Sequence, residues 1–127
     1  MKKKYIGLSG LPRSGSTLLS SILSQNPDIH AEGNSAVCQL MADMQHSCNW
    51  NSKEQLLANN RHNTTKDLIS SIPSIYYKDV KASIIIDKCR SWTLPLNMDM
   101  FYNYLDSNPK IIVLERPIID VVKSFVS

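Results

Sequence analysis

Gly10-Leu11-Pro12-Arg13-Ser14-Gly15-Ser16-Thr17 decides the fold, together with what flanks it. Before it, Lys4-Tyr5-Ile6-Gly7-Leu8 is a short β-type run. After it, Leu18, Leu19, Ile22 and Leu23 recur at helical spacing until Asn26-Pro27-Asp28 stops the helix. Two glycines five positions apart, followed by a hydroxyl pair, have the spacing of a nucleotide-phosphate loop. Glycines let the backbone curl around an anion, and the free N–H groups that open a helix point at it. An ATP or GTP site would carry Lys after the second glycine. Here that residue is Ser16, and the cation sits inside the loop as Arg13.

Outward from this loop, strands and helices alternate. Ser83-Ile84-Ile85-Ile86 and Lys110-Ile111-Ile112-Val113-Leu114 are continuous apolar runs, which predicts parallel strands buried on both faces. Helices are expected from Ser35 to about His46 and from Leu96 to about Asp106. Ser52-Lys53-Glu54-Gln55 has the form of a capping box, and Thr64-Thr65-Lys66-Asp67 opens a further helix that Pro73 should kink or divide. After the last strand, Pro117 suits a helix's first turn, and Ile118, Ile119, Val122, Phe125 and Val126 form an apolar face. The pattern predicts an α/β class: a parallel sheet flanked by helices in a three-layer, P-loop-like fold, with ligands beyond the carboxyl ends of the strands.

The 127 residues allow one domain, here taken as 1–127, and 43% hydrophobic content supports a globular core. A formal charge of +3 suits an anionic ligand but is too small for a surface that coats nucleic acid. No apolar run approaches the roughly 18 residues of a membrane span. Pro12 and Arg13 interrupt the stretch after Met1-Lys2-Lys3-Lys4 too early for a signal peptide. Cys38, Cys48 and Cys89 are odd in number and fit no zinc pattern, so they read as reduced thiols of a cytoplasmic protein. His46 and Cys48 are too few ligands for a metal, and no acidic pair ends a strand as magnesium would require. Tyr76, Tyr77, Trp92, Phe101, Tyr102 and Tyr104 read as core or pocket lining.

Pro12-Arg13-Ser14-Gly15-Ser16-Thr17-Leu18-Leu19 resembles the 5′-phosphosulfate loop of sulfotransferases that use 3′-phosphoadenosine 5′-phosphosulfate. Arg13 in place of Lys is similar to the tyrosylprotein-type and bacterial branch. The resemblance implies that Arg13, Ser14, Gly15, Ser16 and Thr17 bind the 5′ group. It further implies that Arg116, closing Leu114-Glu115-Arg116-Pro117, and Ser124, eight residues later, hold the 3′-phosphate. A guanidinium suits phosphate because its fixed fork of donors matches phosphate oxygens. Lys88, in Ile86-Asp87-Lys88-Cys89-Arg90-Ser91-Trp92, matches the family's catalytic Lys. Two residues on, where cytosolic members have a His base, this chain has Arg90, which cannot be deprotonated. Glu32, in the loop His30-Ala31-Glu32-Gly33-Asn34-Ser35, is the candidate base, with Asp87 and His30 as alternatives. An ungapped comparison does not align Glu32 with the family's Glu.

The implied function is sulfuryl transfer from that donor to a hydroxyl or amine, with Arg13 and Lys88 countering charge on the leaving phosphate oxygen and Glu32 taking the acceptor's proton. No metal, nucleic acid or membrane enters. The acceptor stays open among glycan, lipid, peptide and small molecule. Two alternatives stand: a kinase or nucleoside triphosphatase with an altered loop, and a non-catalytic fragment. The family's later Gly- and basic-rich segment has no counterpart here, so a missing C-terminal part is expected.

Overall fold

Four runs of strand-forming residues pair side by side in the computed structural model, which describes residues 3–10 and 16–114. β1 (Lys4–Gly10), β2 (Ile29–Ala31), β3 (Ile84–Lys88) and β4 (Ile111–Leu114) form one sheet in the order β2-β3-β1-β4. Every pairing is parallel. Parallel neighbours need crossover connections, and the helices supply them. These are α1 (Ser16–Leu23), α2 (Val37–Asn49), α3 (Lys53–Ala58), α4 (Thr65–Tyr76) and α5 (Pro95–Met100), the last continuing as a π-type turn, Phe101–Leu105.

Alternation along the strands divides the core in two. On one face Ile85 packs with Val37, Cys38 and Met41 of α2, Ile69 of α4, and Tyr77, Trp92, Met100 and Phe101. On the other face Leu8, Ala31 and Ile86 meet Leu19 and Leu23 of α1. The result is the three-layer α/β arrangement, with α1 on one side of the sheet and α2, α4 and α5 on the other. Gly7 sits where the larger layer presses closest. A Cβ there would lie 3.2 Å from Ile111 Cγ1 and 3.3 Å from both Phe101 Cε2 and Trp92 Cδ1.

Several local expectations change. β2 is a strand that periodicity alone does not show. Its three residues are extended because they pair with β3, not because of their own propensity. β3 is buried on both faces, as expected, whereas β4 is not. It is the outer strand beside β1 among the described residues, and Ile112 and Val113 are 37% and 50% exposed. The capping box does not form: Ser52 makes no side-chain cap, and its hydroxyl shares a 2.8 Å hydrogen bond with Ser47. α4 runs through Pro73 undivided. Pro73 is fully buried, so packing offsets the hydrogen bond its ring removes. The helix beginning at Pro117 lies outside the described residues.

Candidate functional site

The four strands finish at one edge of the sheet, at Gly10, Ala31, Lys88 and Leu114. Register sets Leu8 opposite Lys88, Ala31 opposite Ile86, and Gly10 opposite Leu114. Such an edge is where parallel α/β sheets bind ligands. Lys88, half-buried, closes β3, and Glu32 follows the last residue of β2, so two candidate residues share the edge. Ser16 and Thr17 open α1, with five residues between its start and the end of β1. Arg13, Ser14, Gly15, Arg116 and Ser124 lie outside the described residues.

The exit from β3 is clasped from both sides. From β1, the Leu8 carbonyl accepts the Cys89 N–H at 2.9 Å, and Ser9 Oγ donates to the Arg90 carbonyl at 2.8 Å. From the segment before α2, the Ser35 N–H donates to the Lys88 carbonyl at 3.0 Å. Ser35 Oγ donates to Asp87 Oδ2 at 2.6 Å and accepts the Val37 N–H at 3.1 Å. Lys88 is thus fixed through its own backbone between the strand that leads into the candidate phosphate loop and the segment that carries Glu32.

Asp87 and Lys88 are neighbours on a strand, so their side chains leave on opposite faces. Asp87 falls on the α2–α4 face and is 1% exposed. Besides Ser35, the Tyr77 hydroxyl donates to Oδ2 and Trp92 Nε1 donates to Oδ1 at 2.9 Å. Burial raises its pKa above the ordinary carboxylate value. The bonds from Ser35, Tyr77 and Trp92 pull it back down, and nearby Glu32 adds a further rise. Burial, followed by the charge of Asp87, pushes the Tyr77 hydroxyl well up. A carboxylate enclosed by three donors cannot reach an acceptor's proton. Asp87 therefore leaves the set of candidate bases.

Glu32 is the exposed carboxylate at the edge, its side chain 52% accessible. His30 Nε2 lies 3.3 Å from Glu32 Oε2 but off hydrogen-bond alignment. The His30 ring stands edge-on to Tyr77 with centroids 5.9 Å apart. His30 is a residue of β2 itself, not of a loop, and its ring is held against the core while Glu32 projects outward. Of the two, Glu32 has the access a base needs.

Sequence reasoning missed the Asp87 network. The signal was present as one acidic residue inside an apolar strand, with Trp five positions later. It also missed a thiol pair: Cys38, in the first turn of α2, and Cys89, following Lys88, shift each other's ionisation. The neighbouring Cys38 thiol lowers Cys89 to about 6, while Cys89 and burial push Cys38 up. Among the described residues, no group of three or more His, Cys, Asp or Glu side chains could hold a metal ion. Nor is any helix among them long and apolar enough to cross a membrane.

No curated protein gives a match to the chain. A sequence model described as the sulfotransferase family matches residues 6–127, from β1 through the segment that holds Arg116 and Ser124. That span includes every candidate site residue. With a parallel α/β sheet in which α1 follows β1 at the carboxyl edge, the chain belongs to the sulfotransferase family, whose members are transferases of sulfuryl groups.

Proposed function

We propose that the protein transfers a sulfuryl group from 3′-phosphoadenosine 5′-phosphosulfate to a hydroxyl or amine acceptor, and that it belongs to the branch with Arg in the 5′-phosphosulfate loop. The observation that carries this reading is the family match over 6–127, combined with Lys88 and Glu32 at the edge into which β1 and α1 open. The fit to the donor rests on that opening. A strand end at Gly10 and a helix start at Ser16 bracket the candidate loop, and the free N–H groups that open a helix favour an anion. Residues 1–127 are read as part of one catalytic domain. An odd number of thiols suits a reducing compartment, the cytoplasm.

Each residue has a separate task. Arg13, Ser14, Gly15, Ser16 and Thr17 bind the 5′-phosphosulfate, while Arg116 and Ser124 bind the 3′-phosphate. In the reaction the acceptor's oxygen or nitrogen forms a bond to sulfur as the bond from sulfur to the phosphate oxygen breaks. Negative charge then grows on that oxygen, and Arg13 and Lys88 counter it. Glu32 takes the acceptor's proton, so the products are the sulfated acceptor, 3′-phosphoadenosine 5′-phosphate and a proton. Positioning and charge do most of this work, as they do in phosphoryl transfer.

The test is an affinity grid on the full-length polypeptide. Arg116→Ala removes charge-assisted hydrogen bonds worth about 1.5–3 kcal/mol, so 3′-phosphoadenosine 5′-phosphate should bind roughly 10- to 150-fold more weakly. Ser124→Ala should cost less, about 1 kcal/mol. Neither change should weaken adenosine 5′-phosphosulfate, which lacks the 3′ group. Arg13→Ala should weaken both ligands. Equal loss of both ligands in Arg116→Ala would remove the 3′-phosphate assignment.

A further inference from the structure

Asp87 has no step in the proposed reaction, yet three separate elements converge on it. Ser35 comes from the segment before α2, Tyr77 from the end of α4, and Trp92 from the turn after β3. An apolar residue could fill the same space without the cost of burying a carboxyl group. What it could not supply is direction. Ser35 uses its hydroxyl on Asp87 and its backbone N–H on the Lys88 carbonyl, so one residue grips two consecutive positions of β3. The same hydroxyl accepts the Val37 N–H and so orients the start of α2. Ser35 lies three residues after Glu32. Anchoring Ser35 therefore sets the spacing between the segment that carries Glu32 and the strand end that carries Lys88.

We propose that Asp87 is a positioning residue for sulfuryl transfer: through Ser35 it fixes where Lys88 and Glu32 stand relative to each other at the strand edge. The proposal rests on the assignment of Lys88 given above. Two physical signs separate it from simpler roles. Removing a negative charge near an anion-binding edge should by Coulomb's law strengthen the binding of an anionic ligand. Loss of positioning should weaken it. A purely structural role should lower stability and act independently of Lys88, whereas a positioning role should disappear once the Lys88 amine is gone.

The experiment is calorimetric titration of 3′-phosphoadenosine 5′-phosphate into the full-length protein, with unfolding midpoints measured alongside. The variants are Asp87→Asn, Ser35→Ala and Lys88→Ala, plus each of the first two combined with Lys88→Ala. Asp87→Asn keeps the shape of the side chain, and the Ser35 and Tyr77 hydroxyls can turn to accept from its amide. Ser35→Ala leaves Asp87 with its other two donors and serves if the first variant does not fold. Residues coupled in this way should show affinity losses of roughly five-fold in the single variants, shrinking to less than about two-fold on the Lys88→Ala background. Unchanged or tighter binding in the single variants overturns the proposal. So does the same loss with and without Lys88, and in both cases the function assigned to Lys88 survives. If Lys88→Ala itself binds as the parent does, the assignment of Lys88 fails, and the positioning role fails with it.

Discussion

Ser9 Oγ donates a 2.8 Å hydrogen bond to the carbonyl of Arg90, joining the penultimate residue of β1 to the turn that follows β3. Ser9 is 3% exposed, so its hydroxyl cannot exchange this bond for one to bulk water. The bond ties together two segments the proposed chemistry requires side by side. One leads into the loop of Arg13, and the other follows Lys88.

Ser9→Ala should accordingly cost about 0.5–1.5 kcal/mol, because the Arg90 carbonyl loses the hydrogen bond that a buried hydroxyl supplies. Urea unfolding would show a lower midpoint with an unchanged slope. Ser24→Ala, which removes an exposed hydroxyl bonded only to its own helix, is the control and should shift the midpoint far less.

Gly7→Ala should destabilise the protein by about 1–3 kcal/mol through overpacking. The added methyl would press on Phe101 and Trp92, both fully buried rings with no room to withdraw. Thermal unfolding reads the change. Phe101→Leu in the same chain should recover part of the loss by opening space beside residue 7.

Cys89 should alkylate as a thiolate well below the usual thiol range. The neighbouring Cys38 thiol brings it to about 6, so the rate of reaction with iodoacetamide should rise with a midpoint near that pH. Cys38→Ala should move the midpoint toward the ordinary thiol value of about 8.5. Peptide mapping assigns the label. Preferential labelling of Cys38 at neutral pH would contradict the direction of the two shifts.

Asp87 also gives stability a pH dependence of known sign. Its folded pKa is raised above the ordinary 3.8, chiefly by burial, so the native state holds the proton more tightly than the unfolded chain does. Its contribution is therefore greatest at pH values below the ordinary one and declines as pH climbs through the raised value. Across that window the stability of the parent relative to Asp87→Asn should fall with rising pH. A difference that grows with pH would show a lowered carboxylate instead.

Much of this architecture is legible in the residues. Glycine, hydroxyl and apolar spacing around Gly10–Thr17 identify the strand that ends at Gly10 and the helix that starts at Ser16. The triple isoleucine before Asp87 can hardly be anything but an interior strand. Features set by tertiary contact are not legible. Ile29–Ala31 is extended only because β3 lies alongside. Ser52 abandons its own helix for the hydroxyl of Ser47, a competition that no local pattern announces. At the site, Lys88 and Glu32 could be singled out by resemblance. The clasp of Ser35 on Asp87 joins residues 52 positions apart, and it appears only once β2, β3 and α2 are assembled.

The order β2-β3-β1-β4 also governs how the molecule comes into being. Lys4 pairs with Ile84, so β1 leaves the ribosome long before its inner partner exists. At synthesis rates of about 5–20 residues per second, the interval is roughly 4–16 seconds. Throughout it the apolar strand that leads into the candidate phosphate loop has no native neighbour within the sheet. Pairings of such long range are slow to nucleate, because the closure entropy of the intervening loop is spent before any contact repays it. The nascent chain should consequently depend on holding factors until β3 emerges, and the two strands that frame the site should be among the last elements to consolidate.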